Sequence, residues 1–287
     1  MTADGDRLLV GEHPQLADQL RRLAERRIVF FAGLPGTGKS LLTHQLAHLA
    51  ADAGRTVHLL QWDVARPVFE ASPAGGRYPM IDGVTHAIIR KAAGLWVRDA
   101  IVAWNEQYPG REDLFIGETP FVGGRFIELA RRLDDGAETL LTAPSCRFVI
   151  AVPSREVRRH LEAVRERRSA NPLHPRERED APPAVLRAIW RNLAEVGRRL
   201  GLAVSGDDYD PGVYRQIFEA VLQHRNAEII PLDVILPTET LSVYDFAVDL
   251  PNLIPTGEDT RAFIESVERR YVDATVLERE IDRWWEV

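Results

Sequence analysis

The sequence has 287 residues, 45% of them hydrophobic and 28% charged, an ordinary balance for a soluble globular protein of one large domain or two small ones. A chain of this size buries a full core without disulfides or metals. Its net charge of −7 argues against a general nucleic-acid binder.

In chain order, Met1 to Val10 carries Asp4 and Asp6 and no apolar stretch of signal-peptide length. His13 to Arg26 has Leu16, Leu20 and Leu23 on one face and is predicted to be an amphipathic helix. Arg27 to Ala32 is a short apolar run typical of a buried parallel strand. A glycine-rich loop follows, then a helix predicted over Leu41 to Ala53 and closed by Gly54. Thr56 to Gln61 reads as a second strand ending at Trp62-Asp63. Val64 to Arg111 holds Phe69, Tyr78, Trp96, Trp104 and Tyr108, a loop-like stretch from Ser72 to Gly76, and a helical pattern over 84–106. It reads as a helical insertion. Asp113 to Gly117 is a third strand, leading into Glu118-Thr119-Pro120, and Phe126 to Leu133 is predicted to be a helix.

Arg147 to Val152 is a fourth strand, followed by an arginine-rich helix over Ser154 to Arg168. Pro172, Pro175, Pro182 and Pro183 break it across residues 169–183, and helix resumes over Ala184 to Leu200. A helix over 211–225, a fifth strand over Ala227 to Ile235 and one closing helix over 258–285 complete the pattern. There is no internal repeat, no low-complexity tract, and no run near the roughly 18 apolar residues of a membrane helix. Strands alternating with helices imply an α/β fold with a mainly parallel sheet and helices on both faces. Ligands on such sheets bind at the carboxyl ends of the strands. The loop after strand one, Asp63 after strand two and Glu118 after strand three all fall at that edge.

The most specific signal is Gly33-Leu34-Pro35-Gly36-Thr37-Gly38-Lys39-Ser40, a phosphate-binding loop lying between a predicted strand and a predicted helix, the context this motif requires. Its glycines let backbone N–H groups converge on phosphate oxygens, and the helix N-terminus adds its positive end. Lys39 is expected to reach the β- and γ-phosphates of a nucleoside triphosphate, Ser40 to ligate Mg²⁺, and Leu41 to complete the nucleotide site. The only other lysine is Lys91, and the remaining basic residues are arginine. A compact ammonium thus stands where phosphates are expected. Lys39 is expected to be exposed and to contribute little to folding.

Asp63 opens the aromatic insertion and is the candidate that orients and deprotonates an acceptor hydroxyl. Arg66 is expected to pair with Asp63 or to bind an anionic part of the acceptor. Glu118 is expected to support Mg²⁺ directly or through water, with the reverse assignment of the two acids left open. Arg125, after Gly123-Gly124, faces the same cleft in this reading. The stretch 155–178 holds Arg155, Arg158, Arg159, Arg165, Arg167, Arg168, Arg176 and Arg178 against four glutamates. From a proline-interrupted hairpin, one to three of these are expected to neutralise a transferring phosphoryl group, the others forming a solvated face with pairs such as Arg158–Glu162. The aromatics of 62–108 fit either a stacking platform or core. His44 and His48 have a spacing zinc can use, but without a third ligand they read as core or surface residues. Cys146 is the sole cysteine, sits in an apolar run, and reads as core in a reducing, cytoplasmic setting.

The loop Gly33 to Ser40, Asp63, Glu118 and Val152-Pro153-Ser154 leading into an arginine helix resemble the phosphate-loop kinases of nucleoside monophosphates and small metabolites. That group includes adenylate-kinase-like, gluconate-kinase-like, antibiotic-phosphotransferase and zeta-toxin-like enzymes. The resemblance covers about residues 27–235. It implies a P-loop NTPase three-layer sandwich with a five-stranded parallel sheet, an acceptor-binding helical insertion at 64–111 and an arginine lid at 154–183, all within a single domain over 1–287. Arg165 fits the second lid arginine of adenylate-kinase-like chains, and the earlier one falls on Arg159 or His160. The Asp-Gly-Phe-Pro-Arg signature of adenylate kinases is absent, with Gly117-Glu118-Thr119-Pro120 near its place. No nucleoside monophosphate is therefore assigned.

The function expected is transfer of the γ-phosphoryl of Mg-ATP to a hydroxyl of a small molecule, with no membrane partner. Rival expectations are an ATPase or nucleotide switch without an acceptor, and a kinase of nucleic acid or protein. No Asn-Lys-x-Asp guanine-reading motif is present, which disfavours a GTPase.

Overall fold

The apolar run after Arg27 forms the central strand, β1 (Ile28–Ala32), in a computed structural model that describes residues 8–238, 242–246 and 250–287. Asp4 and Asp6 lie outside the described residues. Around β1 assemble β2 (Thr56–Gln61), β3 (Asp113–Thr119), β4 (Cys146–Pro153) and β5 (Ala227–Leu232), in the order β2-β3-β1-β4-β5. Every pairing is parallel. The expected α/β architecture with a five-stranded parallel sheet is therefore present, and ten α-helices accompany it among the described residues.

The side-chain alternation of β1 builds the layers. Val29 and Phe31 join Leu59, Ile116 and Val149 under α1 (Pro14–Ala24) and α2 (Lys39–Asp52). Phe30 and Ala32 join Leu60, Phe115 and Phe148 on the opposite face, covered by α3 (Trp62–Ala71), α4 (Ala87–Gln107) and α8 (Pro211–Val221), among others. Phe30 stacks on Phe148 at 4.8 Å, and a Cβ at Gly117 would collide with its ring, so that glycine is the seat of Phe30. Each such buried ring stabilises the fold by about 2–3 kcal/mol relative to exposure. Phe69, Trp96 and Trp104 are likewise buried in this layer, so the aromatic insertion supplies core and not an open stacking platform. The outer edge of β2 is covered: Leu59 N–H donates to Pro251 O at 2.8 Å and Leu253 N–H to Leu59 O at 2.8 Å.

Two expected helices differ. Phe126 to Leu133 carries only a short turn at Ile127–Leu129, and the helix of this region is α5 (Gly136–Thr142). Phe121, Gly123, Gly124 and Phe126 all have positive φ, which no α-helix accommodates, while the Asp135 side chain accepts from Ala137 and Glu138 N–H to start α5. The single closing helix is two, α9 (Gly257–Arg270) and α10 (Ala274–Asp282). Tyr271 leaves helical geometry, and the Asp273 side chain caps a new helix that turns back onto α4. Between β4 and β5 lie α6 (Arg155–Ala170), a 3-10 turn at Pro175–Glu179, α7 (Pro183–Arg199) and α8. No helix among the described residues is long and apolar enough to cross a membrane.

The chain leaves β1 toward β2 on one side and leaves β3 toward β4 on the other. These diverging connections open a crevice at the carboxyl ends of β1 and β3, where sheets of this kind place ligands.

Candidate active site

Residues 33–40 fill that crevice between β1 and α2. Gly33, Gly36 and Gly38 have φ of +143°, +70° and +86°. A Cβ at Gly33 would collide with Tyr214 Oη, one at Gly36 would lie 3.0 Å from Leu186 Cδ1, and one at Gly38 would lie 3.2 Å from Leu232 Cδ1. All three positions thus need glycine for conformation and for close approach. Among the described residues, the backbone N–H groups of Gly36, Gly38, Lys39 and Ser40 have no acceptor. Unpartnered donors at a helix N-terminus form an anion-binding concavity. Leu34 N–H donates to Tyr214 Oη at 3.3 Å, and Thr37 Oγ1 donates to Leu34 O at 2.8 Å.

Lys39 departs from expectation. Its side chain is 5% exposed, and Nζ donates to Leu34 O at 2.8 Å and lies 3.8 Å from Glu118 Oε1. Burial lowers its pKa against the opposing pull of Glu118 and Asp63, with Arg165 and Arg158 adding to the lowering. The lysine starts α2, two residues before the predicted helix start.

Glu118 sits near the end of β3, in register with Phe31 of β1 and Gln61 of β2. Ser40 Oγ donates to Glu118 Oε1 at 3.1 Å. A hydroxyl and a carboxylate oxygen converging this way are hard ligands suited to Mg²⁺. Asp63 is exposed and occupies the first turn of α3 instead of a loop after β2. It has no hydrogen-bond or ion-pair partner among the described residues. Arg66 does not pair with Asp63: one turn down the helix, its Nη1 holds Glu70 Oε2 at 2.6 Å. Arg125 follows the Phe121–Gly124 turn on the same side, within electrostatic reach of both Asp63 and Arg66.

The arginine-rich helix contributes a residue that spacing alone hid. Arg158, 2% exposed, donates from Nη1 to Pro35 O at 3.0 Å and Gly36 O at 2.9 Å, and from Nε to Glu162 Oε1 at 2.9 Å. It fastens the outer carbonyls of the loop to α6, which leaves the N–H groups facing the other way. Its i,i+4 partner Glu162 made it look like a surface pair, and only the buried position reveals the contact with the loop. Arg165 lies within electrostatic reach of Lys39 and pairs with Asp180 Oδ1 at 3.1 Å, which also accepts from Tyr244 Oη at 2.9 Å. Arg155, Arg159, Arg167, Arg176 and Arg178 are exposed. Beside Gly38 a shallow apolar hollow of about 40 Å³ is walled by Leu41, Val157, Leu161 and Ile235.

Two further residues resolve simply. Burial pushes the Cys146 thiol up to about 12, so it stays a protonated core group. His44 is buried, and desolvation, with His48 adding to it, lowers its pKa to about 4.

Compared with known proteins, the chain matches no protein-family model, no curated protein and no solved structure.

Proposed function

We propose that the protein is a cytoplasmic ATP-dependent phosphotransferase of the P-loop NTPase type, moving the γ-phosphoryl of Mg-ATP to a hydroxyl of a small molecule. The observation that carries this reading is the loop Gly33–Ser40: glycine-only geometry, unpartnered N–H donors and a buried ammonium, set against the Ser40–Glu118 pair. The N–H groups and Lys39 hold the phosphates. Ser40 and Glu118 would hold Mg²⁺, which neutralises charge on the phosphates. Asp63, exposed and without a partner among the described residues, takes the proton of the acceptor hydroxyl. Arg165, oriented by Asp180 and Tyr244, faces the charge that spreads during transfer. Helices α6 and α7 already pack on the loop through Arg158 and Leu186, and their closure would exclude water.

The test is a small-metabolite pool incubated with Mg-ATP and screened by mass for gain of one phosphate, with Asp63→Asn as the control. A gain present with wild type and absent with Asp63→Asn supports the reading. ADP release that ignores every acceptor points instead to an ATPase.

A further inference from the structure

The segment between β4 and β5 is held differently at its two ends. Its second helix is rooted in a hydrophobic layer: Trp190, Leu193, Ala194 and Val196 of α7 belong to the core around Phe30 and Phe148. Beside the phosphate loop, Leu186 approaches Gly36, and Arg158 holds the carbonyls of Pro35 and Gly36. At the tip, over 171–181, none of the described residues joins either hydrophobic layer, and the same is true of 238–246, the segment that follows β5. These two segments nevertheless meet, through polar side chains and one ring contact.

Glu177, on the 3-10 turn Pro175–Glu179, is buried although it is a carboxylate. Its Oε1 accepts from Ser242 Oγ and from Arg168 Nη1, both at 2.7 Å, and its Oε2 from Leu173 N–H at 2.7 Å and His174 N–H at 3.3 Å. Arg168 Nη2 also donates to Thr238 O. Three residues on, Asp180 Oδ1 accepts from Tyr244 Oη at 2.9 Å and pairs with Arg165 at 3.1 Å. The Tyr244 ring lies 5.3 Å from that of His174. Ser242 and Tyr244 are presented by a second 3-10 turn, Val243–Phe246, in which Asp245 Oδ2 accepts from Ser242 N–H at 2.7 Å and Ser242 Oγ from Tyr244 N–H at 3.3 Å. That turn packs on α2, the helix that begins at Lys39. The tip is thus tied, through residues that follow β5, to the helix that the phosphate loop opens. Hydrogen bonds and ion pairs give a small net stabilisation, because each group exchanges water for protein. A segment with few buried apolar contacts opens without unfolding the domain. The tip is therefore the end that releases, and the rooted end of α7 is the end that stays.

We propose that Glu177–Ser242 and Asp180–Tyr244 form a latch that keeps this lid down on the phosphate loop before nucleotide arrives, and that release of the latch sets how fast nucleotide enters and leaves. The latch also seats Arg165, which shares Asp180 with Tyr244, so opening frees that arginine. The gating rests on the proposed nucleotide site at Gly33–Ser40, whereas the latch itself does not.

Amide hydrogen exchange, read by mass across 171–181 in nucleotide-free protein, tests the latch. The hydrogen-bonded amides of Leu173, His174, Glu177 and Asp180 are protected in wild type. The Ser242→Ala, Tyr244→Phe double variant exchanges them about tenfold or more faster, while peptides of β1 and β4 keep their protection. Unprotected tip amides in wild type, or unchanged exchange in the double variant, overturn the latch. Stopped-flow binding of a fluorescent ATP analogue with Mg²⁺ tests the gating. Association and dissociation rates rise together by about tenfold and the dissociation constant stays within about twofold, because an opening that precedes both entry and exit cancels in their ratio. A faster dissociation alone, with loss of affinity, marks damage to the site and overturns the gating, as do unchanged rates. If the analogue does not bind wild type, the nucleotide site and the gating fail together, and hydrogen exchange still decides the latch. Should the double variant melt well below wild type, Tyr244→Phe alone, which removes one hydroxyl from a half-buried ring, is read against the same outcomes.

Discussion

Lys39 carries its charge where burial penalises it, and this changes what its removal should do. The carbonyl of Leu34 keeps Thr37 Oγ1 as a donor, and Glu118 keeps Ser40 Oγ, so Lys39→Ala leaves neither acceptor bare. The relieved desolvation offsets the lost contacts, and the unfolding free energy should move by no more than about 1 kcal/mol. ATP turnover should fall by about two orders of magnitude or more. Urea unfolding and ADP release measure the two, and a variant turning over ATP like wild type rejects the phosphate-loop assignment. The acids separate by their surroundings. Asp63 is open to solvent and has no partner among the described residues, whereas Glu118 shares a hydrogen bond with Ser40. Asp63→Asn should keep Mg-ATP binding and lose phosphoryl transfer, because an amide cannot take the hydroxyl proton. Glu118→Gln should weaken the apparent Mg²⁺ affinity and regain activity as Mg²⁺ rises. Rescue of Asp63→Asn by Mg²⁺, with Glu118→Gln inert throughout, would reverse the two roles. The residue types and their places at strand ends were legible in the sequence. Their partners were not, because those contacts cross 78 positions for Ser40–Glu118 and 123 for Pro35–Arg158.

Among the elements, the loop is gripped from behind by α6, α7 and α8. Tyr214 of α8 fills the space a side chain at Gly33 would need, and burial pushes its hydroxyl up to about 12, so it stays a neutral partner. Gly33→Ala should therefore destabilise the protein by about 2–3 kcal/mol, through the φ of +143° and the collision together. Tyr214→Phe removes the colliding oxygen and leaves Thr37 Oγ1 at 3.4 Å and the ring Cζ at 3.5 Å. Added to Gly33→Ala, it should restore part of the loss, leaving the backbone strain. Double-mutant thermal unfolding measures this, and strict additivity of the two changes would mean that they do not touch. Strands and most helices were readable because their signals are local: apolar runs for strands, a 3.6-residue period for α1, proline and glycine at their ends. The failure at Phe126 to Leu133 has the same logic inverted. Its apolar residues serve the core under α4, and the positive φ values that forbid a helix are imposed by packing.

At the scale of the whole molecule, the C-terminal helices lock the insertion onto the sheet layer. Lys91 of α4, 4% exposed, pairs with Glu128 at 2.9 Å and with Glu280 of α10 at 2.7 Å. Arg131 and Tyr271 also bind Glu280. Although burial opposes it, the hydrogen bonds from Lys91 and Tyr271 and the charges of Lys91 and Arg131 bring the Glu280 carboxyl down to about 2. Since the folded pKa lies below the usual glutamate value of about 4.3, the stabilisation is complete above that pH and is lost as pH falls from there toward 2. Glu280→Ala should cost about 2–3 kcal/mol at neutral pH by leaving Lys91 half-paired, and should flatten the acid limb of the stability curve. Urea midpoints across that range measure both, and an unchanged acid limb would show that Glu280 does not carry the linkage.

The sequence by itself determined the phosphate-loop motif, the strand-and-helix alternation that makes a parallel sheet, and the placing of Asp63 and Glu118 at its carboxyl edge. Each depends on residues adjacent in the chain or on a short period. Tertiary structure decided which charges are buried and which pair: Lys39 inside the loop, Arg158 on its carbonyls, and Arg66 with Glu70 instead of Asp63. It also split the closing helix so that Glu280 meets Lys91 across 189 positions. Burial and ion pairing depend on segments distant in sequence meeting in space, and a desolvated charge looks the same in a sequence as a solvated one.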